Sequence, residues 1–270
     1  MRGLLDHLTV ATGSLIGREH VRTQRNNQDG LALVCRDDLL VAAVTDGCSS
    51  GRYSEVGARL GAGWLAQWVP VYAERHGSVH SPAFLQAVTD GFLSYLQGVA
   101  RRFHPVRDAM PATVQDYLLF TFLVVAMTPA ETCVFGLGDG VVGLNGELQV
   151  LEAGEGNAPP YLAYRLVEKA LMEPVGMLQP VIFAQCPTAA VDHVLIATDG
   201  AAEIDGRAGD RLPSGDPVGS LQDLARDPRY GRNPSLLQKR LTVLGDVNRW
   251  LHDDTTMVLI QRKEDMPCVC

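Results

Sequence analysis

Three apolar runs of this chain end on an aspartate beside a glycine. They are Val44-Thr45-Asp46-Gly47, Gly138-Asp139-Gly140 and Ala197-Thr198-Asp199-Gly200, and a fourth acidic site, Asp253-Asp254, stands just before the last apolar run. Any one of these is an ordinary turn pair. Together they place a carboxylate wherever a buried strand reaches a sheet edge, with glycine letting the backbone bend around it. The sites are far apart in sequence, so only the fold can bring them together. Four carboxylates in one place repel and are costly without cations between them. All-oxygen ligands imply a hard cation, magnesium or manganese, rather than zinc.

The hydrophobic pattern sets the architecture. Residues 8–18, 30–35 and 39–45 read as strands, the last two joined by a turn at Arg36-Asp37-Asp38. Residues 54–73 and 82–103 carry apolar side chains at helical spacing, and the second has Ser81 as N-cap and Pro82 at its first position. The runs 117–127 and 132–137 read as strands, and 141–144 and 147–151 flank Asn145-Gly146, a strong hairpin signal. Residues 154–190 are irregular, with Pro159-Pro160 and a short helix expected around 163–172. A strand at 191–198, a loop at 204–219, helices at 218–226 and 234–244 (Asn233 as N-cap) and a strand at 255–262 complete the chain. Strands in hairpin-like groups and helices in pairs point to antiparallel sheets with helices on their faces, not to a parallel βαβα sheet.

Composition excludes several classes. A formal charge of −8 on 270 residues argues against a nucleic-acid binder, which needs a basic surface. No run reaches 18 apolar residues, so no membrane span is expected. The start, MRGLLDHLTV, lacks the pattern of a secretory signal, and six scattered cysteines read as reduced thiols. A cytoplasmic monomer is the expectation, with Cys268 and Cys270 on a frayed tail.

Other chemistries fail on the residues. Gly138-x-Gly140-x-x-Gly143 has dinucleotide-loop spacing, but a hairpin follows where a helix is required. No cysteine has an arginine at the spacing a cysteine phosphatase needs, and neither a P-loop nor a His-Glu-x-x-His zinc motif occurs. His193 and His252 lie near acidic sites but read as strand-edge residues.

The order Asn27-Gln28-Asp29, Asp46-Gly47, Gly138-Asp139-Gly140, Thr198-Asp199-Gly200 and Asp253-Asp254-x-Thr256 resembles the metal-dependent type 2C serine/threonine phosphatases, over about residues 12–262. The stretch Asp46-Gly-Cys-Ser-Ser-Gly-x-x-Ser-Glu55 is most similar to a prokaryotic branch of that family. The resemblance implies an α+β fold, a four-layer α-β-β-α sandwich of two antiparallel sheets flanked by helix pairs. It implies one phosphatase-like domain over 1–270, with 263–270 as a tail. It also implies two manganese or magnesium ions, a weaker third, and a bridging water that attacks phosphorus.

By the same resemblance Asp46 is the bridging ligand, Gly47 contributes its carbonyl, and Asp199 and Asp253 hold the second ion. These three aspartates are the expected catalytic residues. Asp139, with Asp199, is expected to hold the third ion, and Asp29 is a further candidate ligand. The substrate is then a phosphorylated protein. This chain departs from the family at two positions: Gln28 replaces the usual glutamate, and Gln24 the phosphate-gripping arginine. Arg22, Arg25 and His20 are the candidates for that grip, arginine because its planar fork donates two hydrogen bonds to a phosphate. Cys48 stands where some relatives carry histidine, so protonation of the leaving group falls to water. The alternative is a pseudophosphatase, a phosphoprotein-binding module on the same fold, favoured by Gln24 and Gln28 and opposed by the retained aspartates.

Overall fold

The computed structural model describes residues 3–104, 109–154, 156, 158–167 and 178–263. A short helix, α1 (Leu4–His7), leads into β1 (Leu8–Leu15) and α2 (Arg18–Thr23). The hairpin β2 (Gly30–Arg36) and β3 (Leu39–Gly47) is followed by the long pair α3 (Ser54–His76) and α4 (Pro82–Phe103). After α5 (Met110–Thr113) come β4 (Phe120–Met127), β5 (Glu131–Leu137), β6 (Gly140–Leu144), β7 (Glu147–Leu151), β8 (Val181–Pro187) and β9 (His193–Ala197). Helices α6 (Leu221–Arg226), α7 (Pro228–Arg232) and α8 (Ser235–Thr242) precede β10 (Thr255–Arg262).

The strands form two five-stranded sheets, ordered β1-β10-β9-β6-β7 and β2-β3-β4-β5-β8, and every neighbouring pair is antiparallel. The central strands read as continuous apolar runs because both of their faces are buried. In β3, Leu39, Val41 and Ala43 face α3 and α4, while Leu40, Ala42 and Val44 face the other sheet. In β10, Met257 and Leu259 face α6–α8, while Val258 and Ile260 face the opposing sheet. Three apolar layers therefore separate four structural ones, as the resemblance implies. Fully burying one such side chain is worth about 1.5–3 kcal/mol, so the sandwich is held chiefly by these layers.

Several boundaries differ from the sequence reading. The first strand stops at Leu15, because Gly17 packs directly on the backbone of residues 252–254 and the chain turns there into α2. The run from Tyr117 becomes strand only at Phe120; residues 114–118 form a π-helical turn. Strand β8 lies inside the stretch read as irregular. It is an edge strand with every residue at least partly exposed, and its apolar run, Val181-Ile182-Phe183-Ala184, is short and broken by Gln185. The 204–219 loop opens with a 3-10 helix over Asp199–Arg207, and α7 stands between the two expected C-terminal helices. Pro234, not Asn233, takes the N-cap position of α8, although the Asn233 side chain accepts a bond from the Ser235 amide at 3.2 Å. Ser81 caps α4 by position, without a side-chain bond. The expected helix at 163–172 is a 3-10 turn over Leu162–Leu166; residues 168–172 and the tail beyond 263 lie outside the described residues. At the β6–β7 turn, Asn145 and Gly146 have φ of 50° and 88°, as a type I′ hairpin requires.

Candidate metal centre

The topology explains why the separated acidic sites meet. Asp46 lies near the end of β3, opposite Thr121 of β4, in one sheet. Asp199 follows the end of β9, and Asp253 precedes the start of β10, in the other sheet. Asp139 lies on the connection from β5 to β6, where the chain crosses between the sheets. Gly138 and Gly140 flank it with φ of 103° and 132°, a conformation that other residues rarely adopt. All four strand ends open at the same edge of the sandwich.

There Asp46, Gly47, Asp139, Asp199 and Asp253 line one cavity of about 260 Å³, together with His20, Gln28, Cys48 and Thr121. Ala158, Pro159, Tyr161 and Tyr164, from the stretch read as irregular, form part of its wall. Asp29 is buried behind the wall, with Thr198 donating to Oδ2 at 2.9 Å. Gly47 is packed so closely that a Cβ there would lie 2.8 Å from the Gln28 carbonyl oxygen.

The electrostatics are those of crowded acids. Burial first, then the charges of Asp29, Asp199, Asp139 and Asp253, push the Asp46 carboxyl well above the ordinary aspartate range. Burial raises Asp29 well above that range too, and the charge of Asp254 adds to it. Asp139 is raised to about 6 by burial and by Asp199. Asp199 is raised by burial and by Asp253.

Polar atoms in and behind the cavity lack partners. Asp139 Oδ1, Asp199 Oδ1, Asp29 Oδ1 and Gln28 Oε1 are buried and accept no hydrogen bond among the described residues. Buried acceptors are ordinarily satisfied, so unpartnered oxygens in and behind one cavity fit a cation, and an all-oxygen set fits a hard one. Among the described residues no three acidic, histidine or cysteine side chains are already closed around a common point. The fit therefore rests on donor chemistry and on the shared cavity.

The three candidates for the phosphate grip separate. His20, 8% exposed, lines the cavity, and its Nδ1 lies 2.8 Å from Asp254 Oδ2, which leaves Nε2 available to the cavity. Arg25 donates to the carbonyls of Ser49 and Gly51 at 2.6 and 2.8 Å, pinning the loop that follows Gly47. Arg22 pairs with Glu19 and lines a different groove, away from the acids.

Two residues matter that the sequence reading left without a role. Asp254, 2% exposed, accepts from Gly17 N at 2.7 Å and from Gln28 N at 2.6 Å, besides its contact with His20. It ties α2, the start of β2 and the start of β10 into one unit behind the site. Ser54, at the start of α3, accepts from Gln28 Nε2 at 2.6 Å and so orients that amide. A second aspartate beside Asp253 was the visible signal for Asp254; Ser54 stood in the Asp46–Glu55 stretch that carries the resemblance, but without a role of its own.

Comparison with known proteins agrees with this arrangement. The sequence profile described as protein phosphatase 2C matches residues 16–232. A bacterial serine phosphatase shares the fold with a TM-score of 0.54 at 10% identity, over 96% of this chain and 99% of that one. RsbX, crystallised in complex with magnesium, gives 0.51 at 14% identity, covering 96% of both chains. The serine/threonine phosphatase PstP/Ppp of Mycobacterium tuberculosis gives 0.50 at 15% identity, over 96% of this chain and all of that one. A search of curated proteins gives no match. The solved structures carry the likeness of fold, and the profile carries the kinship: this chain belongs to the protein phosphatase 2C family.

Proposed function

We propose that this chain is a metal-dependent phosphatase that hydrolyses phosphoserine or phosphothreonine on proteins. The observation that supports it is the meeting of Asp46, Asp139, Asp199 and Asp253 at one cavity, with buried carboxylate oxygens left unpartnered. Asp46, Asp199 and Asp253 would hold two magnesium or manganese ions together with the Gly47 carbonyl, and Asp139 with Asp199 a weaker third. Ions held there supply activation of a water nucleophile and neutralisation of charge on the phosphoryl oxygens. The chain's own part is placement. Arg25 holds the Ser49–Gly51 loop against the cavity, Asp254 fixes the His20 ring, and Ser54 aims the Gln28 amide. In its charged form His20 can donate from Nε2 to a phosphoryl oxygen. Cys48 contacts Ser50 at 3.1 Å and leaves leaving-group protonation to water.

The test is hydrolysis of p-nitrophenyl phosphate. Activity should appear with manganese or magnesium, vanish on chelation and return when either ion is restored. Full activity after exhaustive chelation would defeat the reading. The neutral Gln28, and a cavity lining with no arginine among the described residues, favour a second reading, a phosphoprotein-binding module on the same fold. Metal-dependent binding of phosphopeptide without turnover would be its mark.

Gln28→Glu adds a charge where Oε1 now stands unpartnered. A manganese titration should then show half-maximal activity at a concentration lower by about tenfold, the low end of what changes around a metal's ligands produce. An unchanged titration would place residue 28 outside the ligand set.

His20→Asn keeps a donor near the position of Nδ1 and deletes Nε2. It should raise KM for p-nitrophenyl phosphate more than it lowers kcat, the sign of lost ground-state binding. Arg22→Ala should leave both within about twofold, since it removes no group that reaches the phosphoester. The reverse pattern would return the grip to Arg22.

A further inference from the structure

Helix α2 separates two concave surfaces. Its His20 faces the acidic cavity, whereas Arg18, Val21 and Arg22 line a groove of about 430 Å³ on its other side. The segment before β10 divides in the same way: Asp253 lines the cavity and His252 the groove. The two surfaces are therefore backed by the same helix and the same segment, so a peptide anchored in the cavity and running past this wall would meet the groove.

The groove differs in charge from the rest of the chain. It carries Arg18, Arg22 and Arg249 against Glu19 and Asp246, in a protein of net charge −8. Glu19 is taken by Arg22. The Arg18 guanidinium donates to the Arg249 carbonyl at 3.2 Å, and among the described residues no acidic partner is found for it or for the Arg249 guanidinium. Val21, 57% exposed, offers an apolar contact between the arginines.

We propose that this groove binds the acidic flank of a phosphorylated peptide whose phosphoserine or phosphothreonine occupies the cavity. The inference rests on the phosphatase reading and narrows its substrate class to sites with carboxylates on one side of the phosphoresidue. Arg18 and Arg249 are then specificity-determining residues that touch the peptide and not the reacting phosphorus. Exposed charge pairs are individually weak, so the preference is modest and fades with salt.

The experiment compares phosphoserine peptides carrying three glutamates before the phosphoserine, three after it, or alanines at all these positions. Affinity is read by fluorescence anisotropy and turnover by phosphate release. One glutamate peptide should bind about three- to tenfold more tightly than the alanine peptide, and the advantage should shrink at about 0.5 M salt. Arg18→Ala/Arg249→Ala should abolish the advantage and leave p-nitrophenyl phosphate turnover unchanged. Two glutamate peptides no better than alanine, or an advantage that survives the double variant, would overturn the proposal. Loss of p-nitrophenyl phosphate turnover in the unaltered protein would instead count against the phosphatase reading, while anisotropy still decides the groove.

Discussion

Asp46→Asn should give a soluble, folded protein with almost no phosphatase activity. The substitution keeps the side chain's size but replaces one carboxylate oxygen with an NH2 group, which cannot ligate a cation. It also removes one of the four aspartate charges that line the cavity. Changes to groups that merely support metal ligands cost about 10–100-fold in affinity or activity, so loss of the proposed bridge should cost more. The fold should not suffer. Burial and four neighbouring acids raise the Asp46 carboxyl well above the ordinary range. A carboxyl raised in the folded state favours folding while protonated, and that contribution is lost as pH rises through its folded value. Near neutral pH the metal-free wild type therefore carries a penalty that the asparagine lacks. Metal-free Asp46→Asn should melt at or above the wild type at pH 7 and below it only under acidic conditions. Turnover above about a tenth of wild type at saturating manganese would refute the bridging role, since even supporting groups cost that much.

Asp254→Ala should have the opposite character, a large loss of stability. Its carboxylate satisfies the buried amides of Gly17 and Gln28 and the His20 ring. Deleting a buried acceptor charges each stranded donor its desolvation, about 1–3 kcal/mol apiece. Removing one partner of a buried charged cluster costs about 3–5 kcal/mol in all. For a chain of this size 1 kcal/mol moves Tm by about 2–4 °C, so a drop on the order of 10 °C is expected by calorimetry. Relief of repulsion with Asp29, whose carboxyl Asp254 helps to raise, offsets part of this. Asp254→Asn, which keeps one acceptor oxygen, should fall between the two. A melting temperature within about 2 °C of wild type for the alanine variant would show that these bonds do not hold the three segments together.

What the sequence made legible follows from burial. Strands such as β3, β4 and β10 are covered on both faces, and their unbroken apolar runs announce them. The Asp-Gly steps mark where such runs end, which is why Asp46, Asp139 and Asp199 could be named before their meeting was seen. Edge strand β8 gave only the short run Val181-Ile182-Phe183-Ala184, since exposure admits polar residues such as Gln185. Helix α2 was hidden for a different reason. Its six residues are too few to show a helical period, and it is set in place by contacts to residues 251–254, most of a chain away. The same long-range dependence separates His20 from Arg22. Two residues apart, they face opposite sides of one helix, and only its orientation decides which reaches the acids. The roles of Asp254 and Ser54 are likewise set by partners distant in sequence.

The central claim is that the four aspartates make a cation site, and anomalous diffraction from manganese-soaked crystals tests it most directly. The account predicts anomalous peaks inside the cavity within ligand distance of Asp46, Asp199 and Asp253, and their loss or weakening in Asp46→Asn. Crystals soaked at millimolar manganese with no anomalous peak in that cavity, or with peaks only at other surface acids, would contradict it.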